Sequence, residues 1–330
     1  MVAKAGSAPA TLPCRKGRIG FQPPPIRERP GAPAWISRLC CRESQGTLQQ
    51  PEIRLIKEKG VGSGGLRAWF TRCLGGAAAP VAGVNRPPAM ADGVRLYAIG
   101  DIHGELGLLD RLLSIIADDG ARHPERRIVL VFLGDYVDRG PNSQGVLDRL
   151  ITGPLPGAEV RFLAGNHESA MLDFITDPVA NARWLDFGGA EALSSYGVRA
   201  SVGVRDRGRL KEMRDRLADR LPDTHRRFLG SLEDYVVYGD YAFVHAGVKP
   251  GRALSRQQRD DLLWLREPFL SSPARHEKVI VHGHTIVETP EIRPNRIAVD
   301  TGAYATGVLT AAVLDGPSQS FLTTGLPRSG

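Results

Sequence analysis

The stretch VFLGDYVDRG, residues 131–140, decides how the chain is read. An apolar run from Val129 to Leu133 ends at Gly134, and Asp135, Asp138 and Arg139 follow within the next few positions. Taken alone, an aspartate after a strand is ordinarily a helix cap, and an Asp-Arg neighbour pair is ordinarily a surface ion pair. Whether this stretch is more than that depends on what surrounds it.

Working outward, the neighbouring segments repeat one pattern. VRLYAIG (94–100) predicts a short apolar strand, and Leu108, Leu109, Leu112, Leu113 and Ile116 fall at helical spacing over Glu105 to Ala117. RIVLVFLG is a second strand whose near-continuous apolar run fits a sheet covered on both faces. A short helix, SQGVLDRLI, leads to a third strand, EVRFLAG, and another helix is expected from about Glu168. This β-α-β-α-β order predicts a layered α/β domain with parallel strands. Residues 177–232 are expected to be a mostly helical insertion, after which DYVVYGDYAFVHAGV, KVIVHGH, RIAVDTGA and LTAAVLDG return to strand character. A sheet-on-sheet core flanked by helices follows.

In open α/β folds, ligands sit beyond the carboxyl ends of the strands. Asp101 and His103 follow the first strand, Asp135 the second, Asn166 and His167 the third; later strands deliver His245, then His284, then Asp300. Capping does not call for histidine, and most of these residues stand beside a glycine, where backbone can pass close to a ligand. The ligand count suggests two metal ions. Asp101, His103 and Asp135 would hold one; Asp135, Asn166, His245 and His284 would hold the other, with Asp135 bridging. Mixed nitrogen and oxygen ligation without thiolate favours Mn²⁺, Fe or Zn²⁺ over Mg²⁺ or Ca²⁺. Two such ions roughly 3.5–4 Å apart can activate a water and clamp an in-line phosphoryl displacement. His282 is left out of the set, on the expectation that it points to the opposite face from His284.

Charge and cysteine divide the chain in two. Residues 1–90 hold 14 of the 43 Lys and Arg but only 4 of the 36 Asp and Glu, so the remainder is slightly acidic despite a net charge of +7. A slightly acidic body argues against nucleic acid as a partner of the catalytic domain. Cys14, Cys40, Cys41 and Cys73 all precede Met90, in no zinc-like spacing. A cysteine-free body fits a reducing cytoplasm. Residues 1–90 read as a basic Pro/Gly/Arg-rich extension with little packed core, either a functional arm or an upstream translation artefact, and MADGVRLYAIGD at Met90 reads as a domain start. No apolar run is long enough to span a bilayer as a helix.

GDIHG, GDYVDRG, GNHE, the HAG triplet and the late GHT, in this order, resemble the phosphoprotein phosphatase family of calcineurin-like metallophosphoesterases over residues 94–315. LLWLREPFL, HGHT and DTGAYATG look like its bacterial serine/threonine phosphatase branch. The resemblance implies the family's β-sandwich and a dinuclear site with Asp101, His103, Asp135, Asn166, His245 and His284 as ligands. It implies His167 as the general acid, Asp138 as the carboxylate orienting it, and Arg139, Asn166 and Arg266 as phosphate contacts. The implied reaction is hydrolysis of a phosphorylated protein or peptide by direct attack of a metal-bridging hydroxide, with Mn²⁺ the expected metal. Two departures stand out: the usual His-Gly-Gly is His245-Ala246-Gly247, and the active-site tyrosine of the eukaryotic tail has no counterpart. A symmetrical dinucleoside-tetraphosphate hydrolase of the same superfamily is the alternative, disfavoured by Asp138. A non-catalytic binder using the basic arm is the second alternative.

Overall fold

The computed structural model describes residues 86–325. In β2 (Arg127–Phe132), alternate side chains enter different cores: Leu130 and Phe132 pack on one side, Val129 and Val131 on the other. A strand covered on both faces offers no polar positions, hence its continuous apolar run. β1 (Val94–Ile99) and β3 (Glu159–Phe162) flank β2 and run parallel to it. β9 (Thr310–Asp315) and β10 (Ser318–Thr323) add two antiparallel strands, giving the order β10-β9-β1-β2-β3.

A second five-stranded sheet repeats the scheme. β5 (Tyr241–Val244), β6 (Val279–His282) and β8 (Arg296–Ala298) are parallel, while β4 (Tyr235–Tyr238) and β7 (Glu291–Ile292) close the edges antiparallel. Leu96, Val131 and Leu133 of the first sheet meet Phe243, Val281 and Ile297 of the second in a common inner core. Each such fully buried side chain contributes about 1.5–3 kcal/mol of transfer free energy. Outside the first sheet lie α1 (Leu106–Ala121), α2 (Ser143–Ile151) and α3 (Asn166–Thr176); outside the second, Leu262 of α7 (Arg259–Trp264) packs with Phe269 and Ile280. The expected β-sandwich flanked by helices is the fold the chain adopts.

The region 177–232 holds a 3₁₀ turn (Ala182–Phe187), α4 (Gly189–Ser195), α5 (Arg207–Arg220) and α6 (Asp223–Gly230). Asp206 caps α5 by accepting from the Arg209 amide at 2.9 Å, and Pro222 separates α5 from α6. The latter divides what sequence periodicity presents as one charged helical stretch, because proline cannot continue the i→i−4 ladder. α8 (Ala303–Thr306) completes the set. Among the described residues, no helix is long and apolar enough to cross a membrane. The basic extension read over 1–90 lies outside the described residues up to position 85. Its last member, Met90, is buried in the inner core, and its amide donates to Gly316 O at 2.7 Å.

Candidate dinuclear metal centre

Every strand end named from sequence reaches one buried rim. Among the described residues, five non-glycine residues have positive φ: His103 (48°), Asp135 (52°), Asp138 (74°), Arg139 (66°) and His284 (62°). All five are candidate site residues. Left-handed backbone costs a non-glycine residue on the order of 1–3 kcal/mol, so the surrounding fold must over-determine these turns. Two glycines make room for the carboxylates. A Cβ on Gly165 would lie 2.2 Å from Asp135 Oδ1, and one on Gly283 would lie 2.2 Å from Asp101 Oδ1.

Asp135 is the hub. Its Oδ2 lies 3.5 Å from His103 Nε2 and 3.9 Å from His167 Nε2, while its Oδ1 lies 3.4 Å from His245 Nε2. Two clusters of potential ligand atoms, each within 4.8 Å of one another, share this residue: His103, Asp135 and His167; and Asp135, His245 and His284. Asn166 Oδ1 sits 2.9 Å from His245 Nε2, so both atoms can face one cation. Asp101 joins neither cluster. Its carboxylate instead accepts from the His284 amide at 3.1 and 3.2 Å.

The electrostatics suit divalent cations. Burial pushes His103 down to about 3, and burial with His245 nearby lowers His284, so both rings are neutral near pH 7. A neutral imidazole keeps the lone pair that ligation requires. The other nitrogens of His103 and His245 are fixed against backbone carbonyls, Nδ1 lying 2.9 Å from Val137 O and 2.8 Å from Leu133 O. His284 Nε2 is buried with no hydrogen-bond partner. Meanwhile burial, followed by Asp300 and Asp135, holds Asp101 well above the carboxylate range; burial pushes Asp300 up to about 6. Acids crowded in this way gain from a cation between them. The donor set fits two ions.

Behind the candidate ligands lies a group whose part local sequence does not reveal. Glu168 accepts hydrogen bonds from the amides of Asp135 (2.9 Å), Tyr136 (2.7 Å), Val137 (3.1 Å) and Gly165 (3.0 Å). It ties the turn after β2 to the turn after β3. Burial, with Asp135 beside it, raises its carboxyl pKa, while the amide hydrogen bonds it accepts favour the carboxylate.

His167 and Asp138, the pair expected to handle the proton, meet directly. His167 Nδ1 lies 2.7 Å from Asp138 Oδ2, and the same oxygen accepts from Trp184 Nε1 at 2.7 Å. Burial lowers the His167 pKa, but Asp135 and Asp138 outweigh it and raise the ring to about 9. Trp184 comes from the helical insertion, 46 residues beyond Asp138, and no sequence signal pointed to it.

Arg139 hydrogen-bonds the hydroxyl of Tyr304, stacks its guanidinium 4.5 Å above that ring, and places Nη2 3.3 Å from His167 Nε2. A tyrosine therefore does reach the site, from α8 in DTGAYATG rather than from a C-terminal tail. Arg266 Nη2 donates to His284 O at 3.4 Å. One guanidinium thus stands on the His167 side of the cluster and one on the His284 side. His282 faces away, its ring 5.0 Å from Phe269 on the outer side of the second sheet. Strand alternation would put positions two apart on one face; His284 differs because β6 ends at His282 and His284 is left-handed.

Two mixed sheets, parallel at their centres, that converge acids, histidines and arginines on one rim define a metallophosphoesterase. The chain belongs to the calcineurin-like phosphoesterase family, whose profile matches residues 94–306. It is similar to the asymmetrical bis(5'-nucleosyl)-tetraphosphatase PrpE of Anoxybacillus flavithermus, at 28% identity over 64% of this chain and 87% of the relative. PrpE of Bacillus subtilis, likewise asymmetrical, is 26% identical over 64% and 87% of the two chains. A crystal structure of a candidate diadenosine tetraphosphatase superposes with a TM-score of 0.50 at 22% identity, covering 74% of this chain and all of the other; it shares the fold.

Proposed function

We propose that this chain hydrolyses dinucleoside tetraphosphates, cleaving a phosphoanhydride bond with the groups gathered around Asp135. The observation that carries phosphoester chemistry is the two-sided use of Asp135, whose oxygens face separate histidine clusters with Arg139 and Arg266 flanking them. The nucleotide substrate is supported by the tetraphosphatase relatives, which align with about two thirds of the chain. Their asymmetrical cleavage differs from the symmetrical hydrolase considered from sequence, and we adopt it.

Asp101, His103 and Asp135 would hold one divalent ion, and Asp135, Asn166, His245 and His284 the other. Bound there, such ions supply positive charge at the phosphoryl oxygens and lower the pKa of coordinated water. The donor set favours Mn²⁺, with Fe or Zn²⁺ also suited. Arg139 and Arg266 neutralise charge on the phosphoryl oxygens, and the Asn166 amide contacts one of them. His167 gives its Nε2 proton to the leaving oxygen while Asp138 holds Nδ1. With the ring protonated, Nε2 and the Arg139 Nη2 that lies 3.3 Å from it are both donors, and a phosphate oxygen between them would accept from both. A cysteine-free body supports action in the cytoplasm.

A second reading, serine/threonine protein phosphatase, is favoured by one observation. The 2.7 Å His167–Asp138 pair is an acid suited to alkoxide leaving groups, which need protonation more than a nucleotide phosphate does. The test is a side-by-side assay under Mn²⁺ of diadenosine tetraphosphate and a phosphoserine peptide. Faster turnover of the dinucleotide, yielding ATP and AMP, is the expected result. A higher kcat/KM for the peptide would replace this reading with the second, and two ADP per turnover would restore symmetrical cleavage.

A further inference from the structure

His282, the histidine of β6 that takes no part in the metal centre, lines a cavity of about 240 Å³ on the outer side of the second sheet. Thr285, Arg296, Ser271, Glu267 and Arg293 also line it, and none of its walls is a proposed metal ligand. The cavity opens to solvent and has room for a small organic molecule.

Three of its polar groups each leave one buried atom without a protein partner. Arg296 is 5% exposed, makes no ion pair among the described residues, and leaves Nε without a hydrogen bond. His282 is fully buried; its Nδ1 lies 3.0 Å from Gly283 O, which can only accept, so Nδ1 carries the proton and Nε2 is a bare, unpartnered acceptor. Thr285 Oγ1 is also unpartnered. Buried polar groups are almost always satisfied, and an unpaired buried guanidinium costs several kcal/mol. Three together at one cavity indicate a ligand.

The chemistry of that ligand follows from the walls. Arg296 requires an anionic oxygen group, whereas a bare His282 Nε2 requires a hydroxyl donor on the same molecule. The two acids at the cavity attract Arg296 without pairing with it. Glu291 pairs with Arg293 at 2.9 Å, and exposed Glu267 accepts from the Ser271 hydroxyl and amide. We propose that this cavity is a second ligand site, which binds a small hydroxylated oxyanion between Arg296, His282 and Thr285. Because Gly283–Thr285 forms the turn that carries His284, an occupant would brace that turn from behind.

The experiment is calorimetric titration of the full chain, in chelator, with glycerol 3-phosphate and with malate, acetate serving as the anion that lacks a hydroxyl. One of the first two should bind the parent and Arg139→Met equally, and at least tenfold more weakly to Arg296→Met and to Thr285→Val. Phosphate preference would mark a phosphorylated ligand and malate preference a hydroxy acid. Arg296→Met without ligand should also raise Tm, since it removes an unpaired buried charge. Loss of binding in Arg139→Met instead would place the anion in the catalytic centre. Unchanged binding in Arg296→Met, no binding of either probe, or a lower Tm in Arg296→Met would each overturn the proposal.

Discussion

Trp184 Nε1 donates to Asp138 Oδ2 at 2.7 Å, on the same carboxylate oxygen that lies 2.7 Å from His167. The helical insertion therefore reaches the His167–Asp138 pair and fixes its carboxylate. Trp184→Phe keeps the ring packed near Phe174, 4.9 Å away, but deletes the donor. One hydrogen bond to a charged group is worth about 1.5–3 kcal/mol. We expect roughly a tenfold or greater fall in kcat with little change in KM, which steady-state kinetics on diadenosine tetraphosphate, or on a phosphoserine peptide if that is the faster substrate, would measure. Equal kcat in the variant would show that Asp138 needs no such support.

His167→Asn should separate binding from proton donation. The variant keeps the Asp135 cluster with His245 and His284, and its amide can still face Asp138. Loss of a general acid lowers rate about 10²–10⁴-fold, most on poor leaving groups. Turnover of the phosphoserine peptide should fall far more than that of p-nitrophenyl phosphate. Parallel losses on both substrates would remove His167 from the acid role.

The pH profile carries a signature of Asp138. His167 is raised above its ordinary value, so its protonated form is fully held below that ordinary value and is lost as pH rises through about 9 in the metal-free protein. Cations that neutralise Asp135 bring this limb lower in the loaded enzyme. Asp138→Asn removes the remaining raising charge, so the alkaline limb of the phosphoserine peptide rate should move to still lower pH. A limb at the same pH in both proteins would rule out His167 as its origin.

Glu168→Gln should cost both stability and metal. Glu168 Oε1 takes the amides of Tyr136 and Val137, and Oε2 those of Asp135 and Gly165. Either placement of the glutamine amide sets its NH₂ against two backbone N–H groups. At about 1–3 kcal/mol for each unsatisfied buried group, the loss is roughly 2–6 kcal/mol. Urea unfolding would read that loss, and Mn²⁺ titration should show weakened binding, because the turn that presents Asp135 is held by these bonds. A stable variant with parental Mn²⁺ affinity would contradict this.

The sequence exposed the layered fold through β1 and β2, whose unbroken apolar runs have one physical explanation, and the site through six strand ends rich in Asp, His and Asn. It was poorer where a role depends on contacts made far along the chain. Glu168 was visible inside GNHE, but its grip on four amides needs the turns after β2 and β3 to be adjacent. Trp184 and Tyr304 carry no local pattern that marks them, and both meet their partners only after the insertion and α8 fold back. β7, with two residues, and β10, SQSFLT at a sheet edge, escape periodicity because edge strands bury little. For His282 and His284, two positions apart, alternation alone predicts one shared face; the strand ending before His284 is what separates the two rings.

The cluster of left-handed residues at the rim has a practical consequence for anyone handling the protein. No short peptide bearing GDIHG, GDYVDRG or GHT would hold those backbone angles alone, because only the assembled double sheet enforces them. Catalytic turnover is therefore a reporter of the completed tertiary structure. A preparation, truncation or heat-treated sample that keeps its helices and strands but loosens the seam between the sheets will fall silent in an assay well before circular dichroism registers damage.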